Sequence, residues 1–235
     1  MASILDEGRN GSLTFGGNLR AAVFGVSDGL VSNTSLIMGV AGALSDARTV
    51  LITGAAGLLA GALSMAAGEY VSMRSQRQLF ESQIAREKEE LATRPKEEVD
   101  ELARIYHRRG IPLDSACRIS QALSSDLKTA LQTHAREELG LNPEDLGSPV
   151  GAGLASFVSF AVGALVPLLP FLFHAGEGAF AIAAGLAALG LLLVGAASAR
   201  LTGQRVLHGA LRLLVIGGGA GVIAYVIGRL LGVSV

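Results

Sequence analysis

Five long apolar stretches, separated by short connections and one charged block, organise this chain. Residues 21–45 carry a single charge, Asp28, and residues 49–68 carry none. Residues 146–176 and 178–199 carry none either, and residues 206–228 carry only Arg212. An α-helix needs about 20 predominantly apolar residues to cross the hydrocarbon layer of a bilayer. The pattern therefore predicts membrane spans near 20–45, 49–72, 150–174, 177–199 and 206–230. Buried helices of a globular core are the alternative, but five such stretches in 235 residues disfavour it. Pro167 and Pro170 in PLLP either kink the third span or mark its end. Glycines in spans four and five, including Gly185, Gly190, Gly195 and Gly217-Gly218-Gly219, read as close helix packing.

The charged block has a different rhythm. Residues 74–145 hold 12 Lys/Arg and 14 Asp/Glu, 26 of the chain's 39 charges. Apolar residues recur at helical spacing at Leu79, Phe80, Ile84 and Leu91, and no breaker separates this helix from span two. Thr93-Arg94-Pro95 marks a break, with Pro95 suited to the first turn of the next helix, which Gly110 ends. Asp114 is placed to cap a third helix and Asp126 a last one, ended by Gly140. The expected architecture is all-α: a polytopic membrane protein with five transmembrane helices and a three- or four-helix module between helices 2 and 3. Its divisions are an N-terminal tail (1–18), spans one and two (19–73), the acidic module (74–148) and spans three to five (149–235).

Composition narrows the function classes. Half the residues are hydrophobic, which excludes a disordered chain. Cys117 is the only cysteine, which excludes a disulfide scaffold. With 19 basic residues against 20 acidic, no nucleic-acid footprint is expected. The opening MASILDEGRNGSLTFGG lacks a basic region followed by an apolar run, so no cleavable signal peptide is expected. Arg9 and Arg20 in the tail, and Arg200, Arg205 and Arg212 after span four, fall on the side of the charged module. The opposite side offers Arg48, and His174 and Glu177 in a short loop. By the positive-inside rule the N-terminus and module are expected to be cytoplasmic and the C-terminus outside.

Candidate chemistry lies in both regions. A carboxylate inside a span is costly and usually faces a bundle interior or a water-filled path. Asp28 shares a helix face with Ser32, Ser35 and Gly39; its alternative role is that of a cap or snorkelling group near the membrane surface. In span two, Gly57, Gly61, Met65, Gly68 and Ser72 fall along one face. The glycines read as packing, and the Met65 thioether is either packing or a soft metal ligand. Glu69, one turn after Met65, either joins that path or pairs with an arginine at headgroup level. In the module Glu87 and Glu90 are three apart, as are Glu98 and Glu101, and His134 precedes Glu137 and Glu138 by three and four. Residues so spaced share a helix face. Carboxylates and imidazole from neighbouring helices suit divalent iron, manganese or zinc. Arg86, Lys88, Arg94 and Lys96 are the competing partners for these acids.

The chain also resembles the vacuolar iron transporter family, including its bacterial and nodulin-like members. The stretches that carry the resemblance are SDGLVSNTSLIMGVAGA, GALSMAAGEYVSMRSQ, EELGLNPEDLGSP and GALVPLLPF, within residues 18–232. The resemblance implies a homodimeric five-span transporter, not an enzyme, that exchanges protons for ferrous iron and related divalent metals leaving the cytosol. It implies metal ligation at Asp28 and Met65 in the membrane, on a path between the subunits, and at Glu87, Glu90, Glu98, Glu101 and Glu138 in the module. No fixed cofactor is implied; iron, manganese, zinc or cobalt is substrate or module ligand, and the resemblance, with no organellar targeting segment expected, implies a bacterial cell membrane. Two features depart from the family pattern. Gly57 stands where eukaryotic members carry a glutamate, while Glu69 lies beyond Met65 as in bacterial members. His134 and Ala135 stand where some relatives carry methionines. The competing readings are a membrane-anchored metal buffer or sensor, and a membrane scaffold that binds no metal.

Overall fold

The computed structural model describes residues 3–43, 46–173 and 178–232, with residues 3–20 described by their backbone alone. His174 and Glu177 lie outside the described residues. The helices are α1 (Ser3–Ala43), α2 (Ala47–Thr93), α3 (Pro95–Arg108), α4 (Leu113–Leu123) and α5 (Leu127–Glu137). They are followed by α6 (Pro149–Leu165), a 3-10 turn (Val166–Leu168), α7 (Leu169–Leu172), α8 (Ala179–Leu201) and α9 (Val206–Gly232). Among the described residues, five segments are long and apolar enough to cross a membrane: Ala21–Ala43, the apolar half of α2, Pro149–Leu172, Ala179–Leu201 and Val206–Gly232. The all-α, five-span expectation is met. The chain divides into two compact units, residues 1–14 with 71–148 and residues 15–70 with 149–235.

The apolar unit is built with small residues inside and large ones outside. On α8 the buried positions are Ala179, Ala183, Ala187, Leu191, Gly195 and Ala199, one every fourth residue. On α9 they are Gly209, Ala210, Gly217, Gly221 and Gly228. Leu154, Val158, Val162, Leu193, Leu207, Val215 and Ile216 are exposed by half or more. In water such a surface would drive association; in a bilayer it meets lipid, and small residues let helices approach. Helices α1 and α6 approach closely. A Cβ at Gly29 would collide with the Phe160 carbonyl, and one at Gly163 with that of Val26.

Span three is interrupted where proline requires it. Pro167 has no N–H to donate, and the helix tightens into the 3-10 turn at Val166–Leu168 before α7 resumes. In 3-10 geometry the missing bond is the one to the carbonyl of residue 164. That carbonyl instead accepts from Asn33 Nδ2 at 2.6 Å. Around the turn, Leu168 and Phe171 join Ile37, Val50, Ala179 and Ala183 in a buried cluster, and Phe171 meets Phe180 edge to face at 5.1 Å.

In the charged unit, α2 runs on unbroken to Thr93, and Pro95 occupies the first turn of α3. Gly110, at φ +94°, ends that run in a conformation that favours glycine. Asp126 caps α5, its carboxylate accepting from Thr129 N at 2.9 Å and Thr129 Oγ1 at 2.8 Å. Those bonds hold its carboxyl below the usual range. Asp114 does not cap α4: Pro112 is the N-cap and Asp114 sits in the first turn. The fixed φ of Pro112 prepares the helix start without a side-chain cap. Leu91, Leu102, Ala103, Ile105, Ala116, Ala130 and Ala135 form the unit's buried apolar residues.

Candidate functional site

The charged unit gathers four ligand atoms from three helices. The corner at Arg94-Pro95 folds α3 back on α2, so that Glu87 from α2 and Glu98 from the start of α3 converge. His134 on α5 and Glu138 at its C-cap, one turn later, complete the group, and the four ligand atoms all lie within 4.8 Å of one another. His134 Nδ1 is 3.0 Å from Glu87 Oε1, and 3.7 Å from both Glu98 Oε2 and Glu138 Oε2. Metal–ligand bonds of about 2.0–2.2 Å place neighbouring donor atoms about 3.0–3.5 Å apart in tetrahedral or octahedral geometry.

Burial makes this cluster unusual. Glu87, Glu98 and His134 are 3%, 5% and 0% exposed. Despite their proximity, Glu87 Oε1 and His134 Nδ1 make no hydrogen bond with each other or with any other group. Such orphaned buried atoms need an explanation, and lone pairs aimed at a common point are what a cation requires. His134 Nε2 is likewise buried without a partner, so its ring is oriented by packing. Burial, reinforced by the charges of Glu138, Glu98, Glu90 and Glu101, pushes the Glu87 carboxyl up to about 7. Burial also raises Glu98, with Glu101, Glu90 and Glu138 adding to it and Arg94 opposing. A divalent cation would relieve both effects.

The other module candidates are placed differently. Glu90 accepts from Arg86 Nε at 3.2 Å and Arg94 Nη2 at 3.3 Å. Glu137 is ion-paired with Arg109, which also donates to its backbone carbonyl. Glu101 is half-buried, outside the four converging groups, yet close enough for its charge to raise Glu87 and Glu98.

The apolar unit holds a cavity of about 330 Å3. Helix α1 supplies Asp28, Ser32, Asn33 and Leu36; α2 supplies Gly57, Gly61, Ser64 and Met65; α6 supplies Phe160. Asp28 and Met65, 37 residues apart, thus share one chamber. Ser32 Oγ donates to the Asp28 backbone carbonyl at 2.6 Å, leaving its oxygen as an acceptor. Ser35 donates to the carbonyl of Val31, and Gly39 packs beside Ala224 of α9, so these two do not join Asp28 in the chamber. Gly57 and Gly61 keep the chamber open, since a Cβ at Gly61 would enter the Phe160 ring. Gly68 has open space around it, and Glu69 is not among the lining residues. Asn33 and Phe160 were not singled out from the sequence. Asn33 had a signal, as a polar amide five residues after Asp28 within an apolar stretch.

A buried carboxylate–imidazole cluster and a membrane chamber with one acid and one thioether now stand beside the sequence match. Residues 19–229 fit the model of the VIT family. The chain belongs to that family. It is 37% identical over 227 residues to a vacuolar iron transporter of Acanthamoeba castellanii, a match covering 94% of this chain and 81% of that protein. It is 34% identical over 224 residues to vacuolar iron transporter 2 of Oryza sativa subsp. japonica, covering 94% and 91%. A VIT-like transporter 1b of Glycine max is 33% identical over 217 residues, covering 92% and 77%. These relatives are transporters by name, and this VIT-family chain is accordingly not an enzyme.

Proposed function

We propose that this VIT-family chain moves ferrous iron out of the cytosol in exchange for protons, with manganese as a second cargo. The observation that carries the reading is the shared chamber of Asp28 and Met65 among the membrane-spanning helices. A carboxylate and a thioether together bind a borderline divalent ion without fully neutralising it. Such a site can both load and release, as conduction requires. When the ion leaves, a proton can take its place on Asp28, which couples the two flows through one group.

The module gathers metal on Glu87, Glu98, His134 and Glu138 and raises its local concentration beside the membrane. Glu101 lends charge to this site, while Glu90 and Glu137 anchor arginines around it. Imidazole in the ligand set favours iron and zinc, and the carboxylates extend the range to manganese and cobalt. The working unit is a homodimer whose module and N-terminus face the cytosol, in line with the basic residues of the short connections. Glu69 joins the path at its cytoplasmic end.

The test uses sealed vesicles with the module facing outward and an acidic interior. Anaerobic ferrous iron should accumulate inside, and Glu87→Gln or Glu98→Gln should raise the concentration needed for half-maximal uptake. Vesicles that bind iron at the protein but accumulate none would make the chain a membrane-anchored buffer or sensor.

A further inference from the structure

We infer that Asn33 is a cation ligand in the membrane chamber, its side-chain carbonyl supplying a neutral, fixed oxygen beside Asp28 and Met65. The inference rests on the reading that this chamber lies on the transport path. Asn33 is 2% exposed, and its Nδ2 donates to the Ala164 carbonyl at 2.6 Å. A carbonyl can only accept, so this bond decides which end of the amide faces α6 and leaves Oδ1 at the other end. Oδ1 is buried and accepts no hydrogen bond. It lies beside Gly57 in the chamber wall, where an added Cβ would come within 3.1 Å of it. Thr34 Oγ1 and Ser156 Oγ are also buried without partners, but neither residue lines the chamber.

Two separate requirements converge on this side chain. Pro167 leaves the Ala164 carbonyl without its 3-10 donor, which anchors the Asn33 amide nitrogen. The anchored amide then holds its oxygen rigidly in surroundings where an unmatched acceptor is costly. A cation in the chamber matches it. Carbonyl oxygen suits hard divalent ions, and because it is neutral the ligand set of Asp28, Asn33 and Met65 carries one negative charge. That undercompensates a divalent ion and favours its release. A second carboxylate at this position would hold the ion more tightly and slow its departure.

The experiment measures initial rates of ferrous iron uptake into proteoliposomes under a pH gradient, over a range of iron concentrations. It compares wild type, Asn33→Leu, Asn33→Asp and Asp28→Asn, with thermal unfolding followed in parallel. Asn33→Leu should raise KM about tenfold, whereas Asn33→Asp should lower it by a similar factor and reduce kcat, tenfold being a modest single-ligand effect. If both variants move KM in the same direction, or leave it unchanged, Asn33 only anchors α6 and the inference is overturned. If Asn33→Leu does not fold, the direction of the Asn33→Asp shift decides alone. Loss of uptake in Asp28→Asn with KM unmoved by Asn33 overturns the Asn33 assignment and leaves the path reading intact. Normal uptake in Asp28→Asn overturns the path reading and with it the inference.

Discussion

Replacing Glu87 by glutamine should stabilise the metal-free protein and weaken the metal-bound one. Glu87 is 3% exposed, and its carboxyl is pushed from the ordinary 4.5 up to about 7 by burial and by the acids around it. An acid with a raised folded-state pKa binds its proton more tightly when folded. Its favourable contribution is therefore complete below about 4.5 and is lost as pH rises through about 7. At about 1.36 kcal/mol per pH unit, the gap corresponds to ~3 kcal/mol of destabilisation in the ionised state. Glutamine keeps the shape and removes the charge, so Glu87→Gln should escape this loss. Thermal unfolding of chelator-treated protein in detergent, at about pH 5.5 and about pH 8, measures it. About 2 kcal/mol of that loss falls within the interval, so the metal-free wild type should lose on the order of 4–8 °C more than the variant across it. Saturating manganese at about pH 8 should reverse the order, because metal stabilises the state that binds it. An identical pH slope in the two metal-free proteins would show that Glu87 carries no buried-charge penalty, and manganese protecting both equally would show that it is no metal ligand.

Other outcomes follow from the same geometry. His134→Ala removes the nitrogen 3.0 Å from Glu87 and should weaken zinc more than manganese in calorimetric titrations, since imidazole suits zinc better. Metal affinity of the module should fall as pH drops below about 7, where Glu87 takes up a proton that the metal must displace. Gly61→Val puts a branched side chain where Phe160 sits; it should reduce uptake and cost about 1–3 kcal/mol by overpacking, read as a lowered Tm. Gly163→Ala meets the Val26 carbonyl rather than a movable side chain, so it should destabilise the protein by a similar ~1–3 kcal/mol with the chamber residues unchanged.

The sequence carried those features that depend on local chain chemistry. Gaps between charges marked all five spans, because a bilayer tolerates few charges in a helix. The unbroken α2, the Pro95 start and the Asp126 cap follow from local backbone rules, and each is found in the structure. Asp114 was misjudged as a cap because Pro112, two residues earlier, already sets the helix start. The acidic pairs were visible by spacing, but which acids turn inward was not. Arg86 and Arg94 claim Glu90, and Arg109, 28 residues away, claims Glu137. The Asn33 bond to Ala164 spans 131 residues and depends on a proline-tightened turn in another helix, which no local pattern in span one encodes.

Proton counterflow tests the exchange most directly. Proteoliposomes loaded with a pH-sensitive dye receive ferrous iron on the module side, with wild type and Asp28→Asn compared at equal incorporation. Proton release should start with iron entry in the wild type, and both flows should be lost in Asp28→Asn. Iron entry without proton movement in the wild type would contradict the exchange, and unchanged entry in Asp28→Asn would remove Asp28 from the path.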